Sequence, residues 1–346
     1  MLLQENVPLA PLTTLGIGGP AQFYVRANSE REVSEAWHWS QEQGLDLQVL
    51  GGGSNVVIAD GGLRGITLHL AVGGVRRSGA EIVVGAGEGW DAFVAWTVEQ
   101  DLAGVECLSG IPGTVGGTPV QNVGAYGQEV AETISRVRAL DRSSGEWVEM
   151  DAAECGFAYR TSRFNTHDRD RYIVTAVHFA LRPGGAPTVR YPELGRALGA
   201  APTLRETRVA VRRIRQCKAM LLVEGDPDAR SAGSFFKNPI VSASAYAKLA
   251  QRLLSPPPQF PAETGMVKIP AAWLIEQTGL RKGFRPVWNG NPAPVAISSK
   301  HALALINCGG ATAHDLMRLQ QEIQQRVHQQ FDIELQPEPV FLGFAS

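Results

Sequence analysis

The hydrophobic pattern near the start of the chain predicts a helix followed by two short strands around a glycine-rich loop. A capping box at residues 29–32 precedes apolar side chains that recur every three to four positions, which predicts a helix to about Gln43. The apolar segments 47–50 and 56–58 have the length and composition of buried strands. Residues 51–55, Gly-Gly-Gly-Ser-Asn, lie between these strands and form their connecting loop.

The remainder of the chain changes its pattern twice. Short β-rich runs dominate residues 65–182, around one helix expected at 90–99. Residues 183–187, Pro-Gly-Gly-Ala-Pro, have the composition of a linker, and 203–220 have helical character with many arginines. An amphipathic helix with its own start signal is expected at 312–330. This order predicts an α+β half followed, after the linker, by a separate C-terminal α/β domain.

Composition limits the classes of function that fit. The chain has 346 residues, a formal net charge of −2 and no long run of like charge, which argues against nucleic acid as a partner. No apolar run reaches the roughly 18 residues of a membrane span, and the N-terminus lacks a basic stretch leading into an apolar one, so a cytoplasmic protein is expected. The four cysteines form no CxxC pair, which predicts free thiols, no disulfide and no metal site.

Glycines cluster in four loops of the N-terminal half, at residues 16–19, 51–55, 85–89 and 110–117. Glycine lets backbone N–H groups approach a ligand closely, and consecutive exposed amides form concavities suited to a pyrophosphate. The loop at 85–89 has GxGxG spacing, which does not match the GxGxxG fingerprint of the common dinucleotide fold. Each loop taken alone fits a tight turn equally well, but together they favour a dinucleotide ligand.

Three segments of this half carry a resemblance to a known family. LGGGSN at 50–55, GIPGTVGG at 110–117 and QNVGAYG at 121–127 resemble the FAD-binding half of the UDP-N-acetylenolpyruvoylglucosamine reductase family, in its branch with a tyrosine loop. The resemblance implies an α+β, PCMH/VAO-type FAD-binding fold of two subdomains plus a C-terminal α/β substrate-binding domain. It also implies FAD contacts by Gly51, Gly52, Gly53, Ser54, Asn55, Ile111, Pro112, Gly113, Thr114, Gly116, Gly117, Asn122, Gly124, Ala125 and Tyr126.

Three further motifs, in family order, span both halves of the chain. YRTS contains Arg160, AGSFFKNP contains Ser234 and LQPEPVF contains Glu338. The resemblance implies that these are the catalytic arginine, the proton donor and the catalytic carboxylate. Taken singly, they also fit a surface ion pair, a turn hydroxyl and a solvated residue between prolines. Their occurrence in three matching motifs favours the catalytic interpretation.

These residue types suit the reaction that the resemblance implies. Hydride transfer to the methylene carbon of an enolpyruvyl ether leaves an enolate, which needs cationic stabilisation and then a proton. Arg160 can supply the cationic stabilisation through its guanidinium group, which is planar and permanently charged. Ser234 can protonate only a very basic carbanion, and Glu338, if kept protonated by burial, can polarise the substrate carboxylate.

The resemblance also implies substrate contacts by Tyr159, Tyr191, Lys218 and Asn238. Tyr191 is expected in a mobile loop over the nucleotide and Lys218 on the diphosphate, although an exposed-loop tyrosine and a solvated helix-end lysine are equally good interpretations. Asn238 either binds substrate or caps the turn at its proline. The sequence departs from the common family pattern at 219–228 and 289–298, which leaves the uridine and phosphate contacts open.

The implied organisation is two FAD-binding subdomains at 1–66 and 67–183, a linker with the tyrosine loop at 184–204, and a substrate domain at 205–346. The site is expected where these domains meet. NADPH is expected to reduce FAD and leave before UDP-N-acetylglucosamine enolpyruvate enters, in a monomeric enzyme that forms UDP-N-acetylmuramate for peptidoglycan. Two alternatives remain: a flavin oxidase on the same scaffold, and a flavin-free protein or transferase that binds a sugar nucleotide.

Overall fold

The computed structural model describes residues 1–344, so the last two residues of the predicted substrate domain lie outside it. The α-helices are α1 (Glu30–Gln43), α2 (Trp90–Glu99), α3 (Pro192–Ala197), α4 (Leu204–Cys217), α5 (Ala243–Gln251), α6 (Ala271–Gln277) and α7 (Ala313–Phe331). The strands are β1 (Leu3–Pro8), β2 (Pro20–Ala27), β3 (Leu47–Leu50), β4 (Val56–Ile58), β5 (Leu63–Leu70), β6 (Val75–Ser78), β7 (Glu81–Gly85), β8 (Leu102–Ala103), β9 (Gly124–Ala125), β10 (Gln128–Glu129), β11 (Ile134–Asp141), β12 (Trp147–Asp151), β13 (Tyr172–Ala180), β14 (Arg182–Pro183), β15 (Ile240–Ser242), β16 (Phe260–Pro261), β17 (Met266–Lys268), β18 (Val287–Trp288), β19 (Asn291–Pro292), β20 (Val295–Ile297), β21 (Leu305–Asn307) and β22 (Val340–Leu342).

The chain forms two compact units that are discontinuous in sequence. The first unit contains residues 1–8, 20–53 and 62–217. The second contains two short segments of the N-terminal half, 9–19 and 54–61, together with the chain from Lys218 onward. The predicted start of the last domain at 205 therefore differs from the structure, because α4 belongs to the first unit.

One sheet of the first unit combines parallel and antiparallel strands in the order β1-β2-β5-β3. Helix α1 packs on this sheet and is capped by Ser29, whose side chain accepts the Glu32 N–H, one half of the predicted capping box. The Glu32 carboxylate accepts the N–H of Asn28 at 2.7 Å and not that of Ser29. It ends at Gly44 with φ of 61°, a left-handed conformation that glycine adopts without steric cost. The predicted strand at 47–50 is confirmed as β3.

The other large sheet of the first unit is antiparallel, in the order β12-β11-β13-β7-β6. Helix α2 covers it, and its residues Trp90 and Phe93 pack against Phe179 of β13 with ring centroids 6.0 and 5.0 Å apart. The helix expected at 90–99 is confirmed with those bounds. The core of the first sheet also contains Leu140 of β11 and Ile173 of β13, so both sheets belong to one compact unit, and β5 crosses the predicted subdomain boundary at residue 66.

The proline-glycine segment after residue 182 is tied into the first unit instead of separating two domains. Strand β14 pairs with β8 at its start. The Thr188 N–H then donates to the carboxylate of Glu106 at 2.7 Å, and the Cys107 thiol donates to the Thr188 carbonyl at 2.9 Å. Val211 of α4 is buried in a cluster with Cys107. These contacts explain why a linker composition did not mark the boundary.

The second unit uses the short N-terminal segments as part of its core. Strand β4 pairs in parallel with β22, and Leu15, Ile17 and Val57 are buried among side chains of α6 and α7. Helix α7 begins with a capping box between Thr312 and Asp315, as expected from the start signal. A three-stranded sheet in the order β15-β17-β16 and two two-stranded ladders, β18-β19 and β20-β21, complete the unit.

Within residues 1–344, no helix is both long and apolar enough to cross a membrane. All four cysteines have free thiols, and no cluster of metal-binding side chains occurs among the residues described.

Candidate active site

Three of the glycine loops pack directly against one another in the first unit. A Cβ atom on Gly52 would lie 2.6 Å from the Cα of Gly113, and one on Gly51 would lie 3.0 Å from the Thr114 hydroxyl oxygen. The Gly116 N–H donates to the carbonyl of Ala86, in the third loop, at 2.9 Å. The backbones of the three loops therefore pack in one layer. Glycine is needed at the contact positions because there is no room there for a Cβ atom.

The layer also has an open face. Gly117 is exposed, and a Cβ atom there would meet nothing within 4 Å. Backbone that is packed on one side and open on the other can approach a flat or charged ligand closely. The residues present therefore fit a flavin dinucleotide.

Asp91, which belongs to none of the sequence motifs, anchors the start of the 110–117 loop. Its carboxylate accepts the Gly110 N–H at 2.6 Å and pairs with Arg208 and Arg212 of α4. Burial raises the pKa of Asp91, but the hydrogen bonds from Arg208 and Gly110 outweigh it, so the pKa lies below its ordinary value. Because Asp91 and Arg208 are 117 residues apart, no local pattern could have indicated this contact.

Asn122 is committed to protein contacts. It is buried, and its amide donates to Glu129 at 2.8 Å and to the Ala158 carbonyl at 3.0 Å. Its carbonyl oxygen accepts the Ala131 N–H at 3.1 Å. Asn122 therefore holds the 122–126 loop in shape through its side chain.

Arg160 lies beside this loop. Its guanidinium donates to the Gly124 carbonyl at 2.7 Å and lies over the Tyr159 ring, 5.4 Å from the centroid. Arg160 has φ of 54°, in the left-handed region that non-glycine residues rarely adopt. The Asn165 amide donates to the Arg160 carbonyl at 3.1 Å and supports that conformation. A candidate catalytic residue thus has a strained backbone and meets a candidate FAD contact, Gly124.

Tyr191 packs on another predicted cofactor residue. Its ring contacts the Tyr126 ring edge-on, with centroids 5.8 Å apart, and it precedes the first residue of α3. Burial raises the pKa of the Tyr126 phenol to about 12. Before the tyrosine, Arg190 pairs with Glu132 at 2.9 Å, so ionic contacts hold the base of the loop.

In the second unit, Ser234 and Glu338 lie on segments that hydrogen-bond to each other. The Glu338 N–H donates to the carbonyl of Phe235 at 2.9 Å, and the Lys237 N–H donates to the carbonyl of Gln336 at 2.9 Å. Backbone pairing therefore places side by side the two segments that carry Ser234 and Glu338, which are 104 positions apart by their numbers. The Ser234 hydroxyl also lies 4.0 Å from the sulfur of Met220.

Asn55, a predicted cofactor contact, meets the segment that carries Glu338. Its side chain donates to the Glu338 carbonyl at 3.4 Å, and its own carbonyl accepts the Val340 N–H at 2.9 Å. Ser54 precedes it in the same unit, at the end of the predicted glycine loop.

Asn238 and Lys218, the remaining predicted substrate contacts, lie in different surroundings. The side-chain oxygen of Asn238 accepts the N–H of Ala271, the first residue of α6, at 2.9 Å, so this side chain caps the start of that helix and not the turn at Pro239. Lys218 follows the last residue of α4 and is half-buried.

Two family models match the chain. Residues 21–151 match an FAD binding domain, and residues 226–342 match the C-terminal domain of UDP-N-acetylenolpyruvoylglucosamine reductase. The first match contains the packed glycine loops, and the second contains both Ser234 and Glu338.

Whole-chain relatives agree with these models. UDP-N-acetylenolpyruvoylglucosamine reductase of Streptomyces coelicolor is 46% identical over 99% of this chain and 90% of its own length. The enzyme of that name from Thermobifida fusca is 46% identical over 98% of each. The crystal structure of the Thermus caldophilus reductase superposes with a TM-score of 0.68 at 26% identity, covering 99% of this chain and all of the other.

Proposed function

Because the chain belongs to the UDP-N-acetylenolpyruvoylglucosamine reductase family, we propose that Arg160, Ser234 and Glu338 carry out the reduction of the enolpyruvyl double bond. The enzyme binds FAD, uses NADPH as hydride donor and makes a peptidoglycan precursor. Family membership decides against a flavin oxidase and against a flavin-free sugar-nucleotide protein. The backbone pairing of the Ser234 and Glu338 segments is the observation that carries the residue assignment.

The overall change adds a hydride to the methylene carbon and a proton to the adjacent carbon, while NADPH becomes NADP⁺. FAD, when bound, supplies the hydride that it has received from NADPH. Arg160 stabilises the negative charge that develops on the substrate carboxylate, and its hydrogen bond to Gly124 and its stacking on Tyr159 hold the guanidinium ready.

Ser234 donates the proton and Glu338 supports the substrate carboxylate in this proposal. Both residues are half-buried, so they combine access with partial exclusion of water. Backbone hydrogen bonds fix the segments that carry them, which supports a site whose donors need no rearrangement when charge develops.

The glycine loops around Gly52 and Gly113 are proposed to hold FAD through backbone N–H groups, with further contacts from the other predicted cofactor residues at 51–55, 111–117 and 124–126. Gly117, whose N–H donates to the Thr114 carbonyl at 3.1 Å, leaves room for the ligand because it carries no side chain. Asn122 is expected to act indirectly, because its side chain is occupied by protein partners.

Substrate and NADPH are proposed to use the same region in turn, with Tyr191 closing over the nucleotide and Lys218 on its diphosphate. We place the reaction in the cytoplasm, where NADPH is available, and propose a monomer. Size-exclusion chromatography with light scattering at micromolar concentration tests the monomer directly.

The test of the proton donor is Ser234→Ala. NADPH should still bleach the flavin of the variant, since the serine takes no part in that half-reaction. Reoxidation by the enolpyruvyl substrate should slow by about 10² to 10⁴-fold, the usual contribution of a general acid. Ser244→Ala, on the exposed end of α5, is the matched control. Reoxidation of the Ser234 variant at the wild-type rate would contradict the assignment of Ser234 as proton donor.

A further inference from the structure

The two segments in which the sequence departs from the common family pattern end in contact with each other. Asp228 is the last residue of the first segment, and its carboxylate accepts hydrogen bonds from the hydroxyl of Ser298, the last residue of the second, at 2.7 Å and from that of Ser299, the next residue, at 2.8 Å. Asp226 pairs with Lys300 and accepts the Asp228 N–H at 3.0 Å. The departures therefore form one structure, which we call the 228–298 brace, consisting of Asp228, Ser298 and Ser299.

The brace is buried and specific. Asp228 is 3% exposed and Ser298 is fully buried. The Ser298 hydroxyl, besides donating to Asp228, accepts the backbone N–H groups of Lys300 at 3.0 Å and His301 at 3.3 Å. The carboxylate therefore fixes the orientation of a hydroxyl that in turn shapes the following turn.

That turn leads directly to the proposed proton donor. The Ser298 N–H donates to the Ala304 carbonyl at 2.8 Å, and the neighbouring Leu303 carbonyl accepts the Phe235 N–H at 2.8 Å. Phe235 follows Ser234, and its own carbonyl accepts the Glu338 N–H. Hydrogen bonds joined by short stretches of backbone thus connect Asp228 with the N–H of Phe235, directly after Ser234, and with the N–H of Glu338.

We propose that Asp228 is a positioning residue for Ser234, acting through Ser298 and the turn that receives Phe235. The inference rests on the proton-donor role proposed for Ser234. An error of about 1 Å in the placement of a reacting group can cost about 10²-fold in rate, so a residue outside the site can control the step.

The experiment is a double-mutant comparison of flavin reoxidation by the enolpyruvyl substrate. Asp228→Ala should slow reoxidation by about 10- to 100-fold. Asp228→Asn should fall between this variant and the wild type, because both hydroxyls donate to the same oxygen of Asp228, Oδ2, and an uncharged amide oxygen accepts them more weakly than a carboxylate oxygen. In the Ser234→Ala background, Asp228→Ala should cause no further slowing, since the group it positions is already absent.

Two measurements separate positioning from a general loss of structure. Bleaching of the flavin by NADPH should stay within about twofold of the wild type in all variants, because that half-reaction needs no proton donor. Asp226→Asn is the matched control: its amide oxygen still accepts the Asp228 N–H, so only the ion pair with Lys300 is lost. We expect near-normal reoxidation from that variant.

The outcomes are distinct. If Ser234→Ala reoxidises normally, the proton-donor proposal fails. If Ser234→Ala is slow but Asp228→Ala slows both backgrounds equally, or slows NADPH bleaching as much as reoxidation, the positioning inference alone is overturned. Should Asp228→Ala not fold, as judged by thermal unfolding, Asp228→Asn and Ser298→Ala in the same two backgrounds decide the question by the same criteria.

Discussion

Arg160 combines a strained backbone with a side chain that a neighbouring loop holds in place. Its φ of 54° costs a non-glycine residue about 1 to 2 kcal/mol, and such outliers concentrate at functional sites. Arg160→Gly should therefore keep a stability within about 1 kcal/mol of the wild type, because relief of strain offsets the lost hydrogen bond to Gly124. We expect reoxidation by substrate to fall at least about 100-fold.

The comparison variant is Arg160→Lys, which keeps the charge but loses the planar fork and should remain at least about tenfold slower than the wild type. Thermal unfolding and stopped-flow reoxidation provide the two measurements. A glycine variant that turns over normally would show that the guanidinium is not needed.

Gly52 and Gly117 allow the packed and open sides of the glycine layer to be tested separately. A methyl group on Gly52 would lie 2.6 Å from the Cα of Gly113, so Gly52→Ala must push two loops apart and should cost about 1 to 3 kcal/mol. Gly117→Ala meets no protein atom within 4 Å and should leave the stability of the apoprotein unchanged.

Fluorescence titration with FAD should show weaker binding by both variants, about tenfold or more for Gly52→Ala. Loss of affinity by Gly117→Ala without loss of stability would support a direct contact with FAD. Wild-type affinity in that variant would remove Gly117 from the proposed contacts.

At the residue scale, the sequence predicts site residues that belong to contiguous motifs. It does not predict residues whose contacts are with partners far away in the sequence. Arg160, Ser234 and Glu338 were predicted because each lies in a motif of the family. Asp91 and Asp228 were not, since their partners lie 117 and 70 residues away and aspartates of this kind are common on protein surfaces.

At the scale of elements, the turn between β11 and β12 depends on one ionised carboxylate. Asp141 accepts hydrogen bonds from Arg171 at 2.7 Å and from the Ser143 N–H and hydroxyl at 2.9 and 2.6 Å. The bond from Arg171, above all, lowers the pKa of Asp141 from 3.8 to about 2. A pKa depressed in the folded state stabilises the fold above the unfolded value, and this stabilisation is lost as the pH falls through about 2.

Asp141→Asn should therefore be less stable than the wild type by a constant amount above about pH 5, and the difference should shrink as the pH falls from 3.8 towards 2. Thermal midpoints of both proteins measured between pH 2 and 7 give the comparison. A difference that does not change over this window would mean that the ionised form contributes nothing.

The sequence predicts helix ends well where a capping residue or a glycine marks them locally. Ser29, Gly44 and Thr312 define helix ends that the structure confirms. The segment at 183–187 shows the opposite case, because its composition indicates a free linker while Glu106 and Cys107 bind the chain that follows it. Tertiary contacts of this kind override local composition and leave no periodic pattern.

At the scale of the whole molecule, each unit is discontinuous, and this could not be predicted from a search for linkers. Val57 lies seven positions after β3 of the first unit, yet it pairs with Phe341 and is fully buried in the core of the second. The C-terminal unit therefore depends on side chains supplied by the N-terminal half of the chain.

The matched substitutions Val57→Ala and Val33→Ala test this division, because both side chains are fully buried but belong to the cores of different units. Each should cost about 1 to 3 kcal/mol from lost burial and the cavity left behind. Hydrogen exchange followed by mass spectrometry should show faster exchange in β22 and α7 for Val57→Ala, and in α1 and β5 for Val33→Ala. If Val57→Ala instead accelerated exchange in β3 and β5, which are close to it in sequence, Val57 would not belong to the core of the C-terminal unit. The division into discontinuous units would then be wrong.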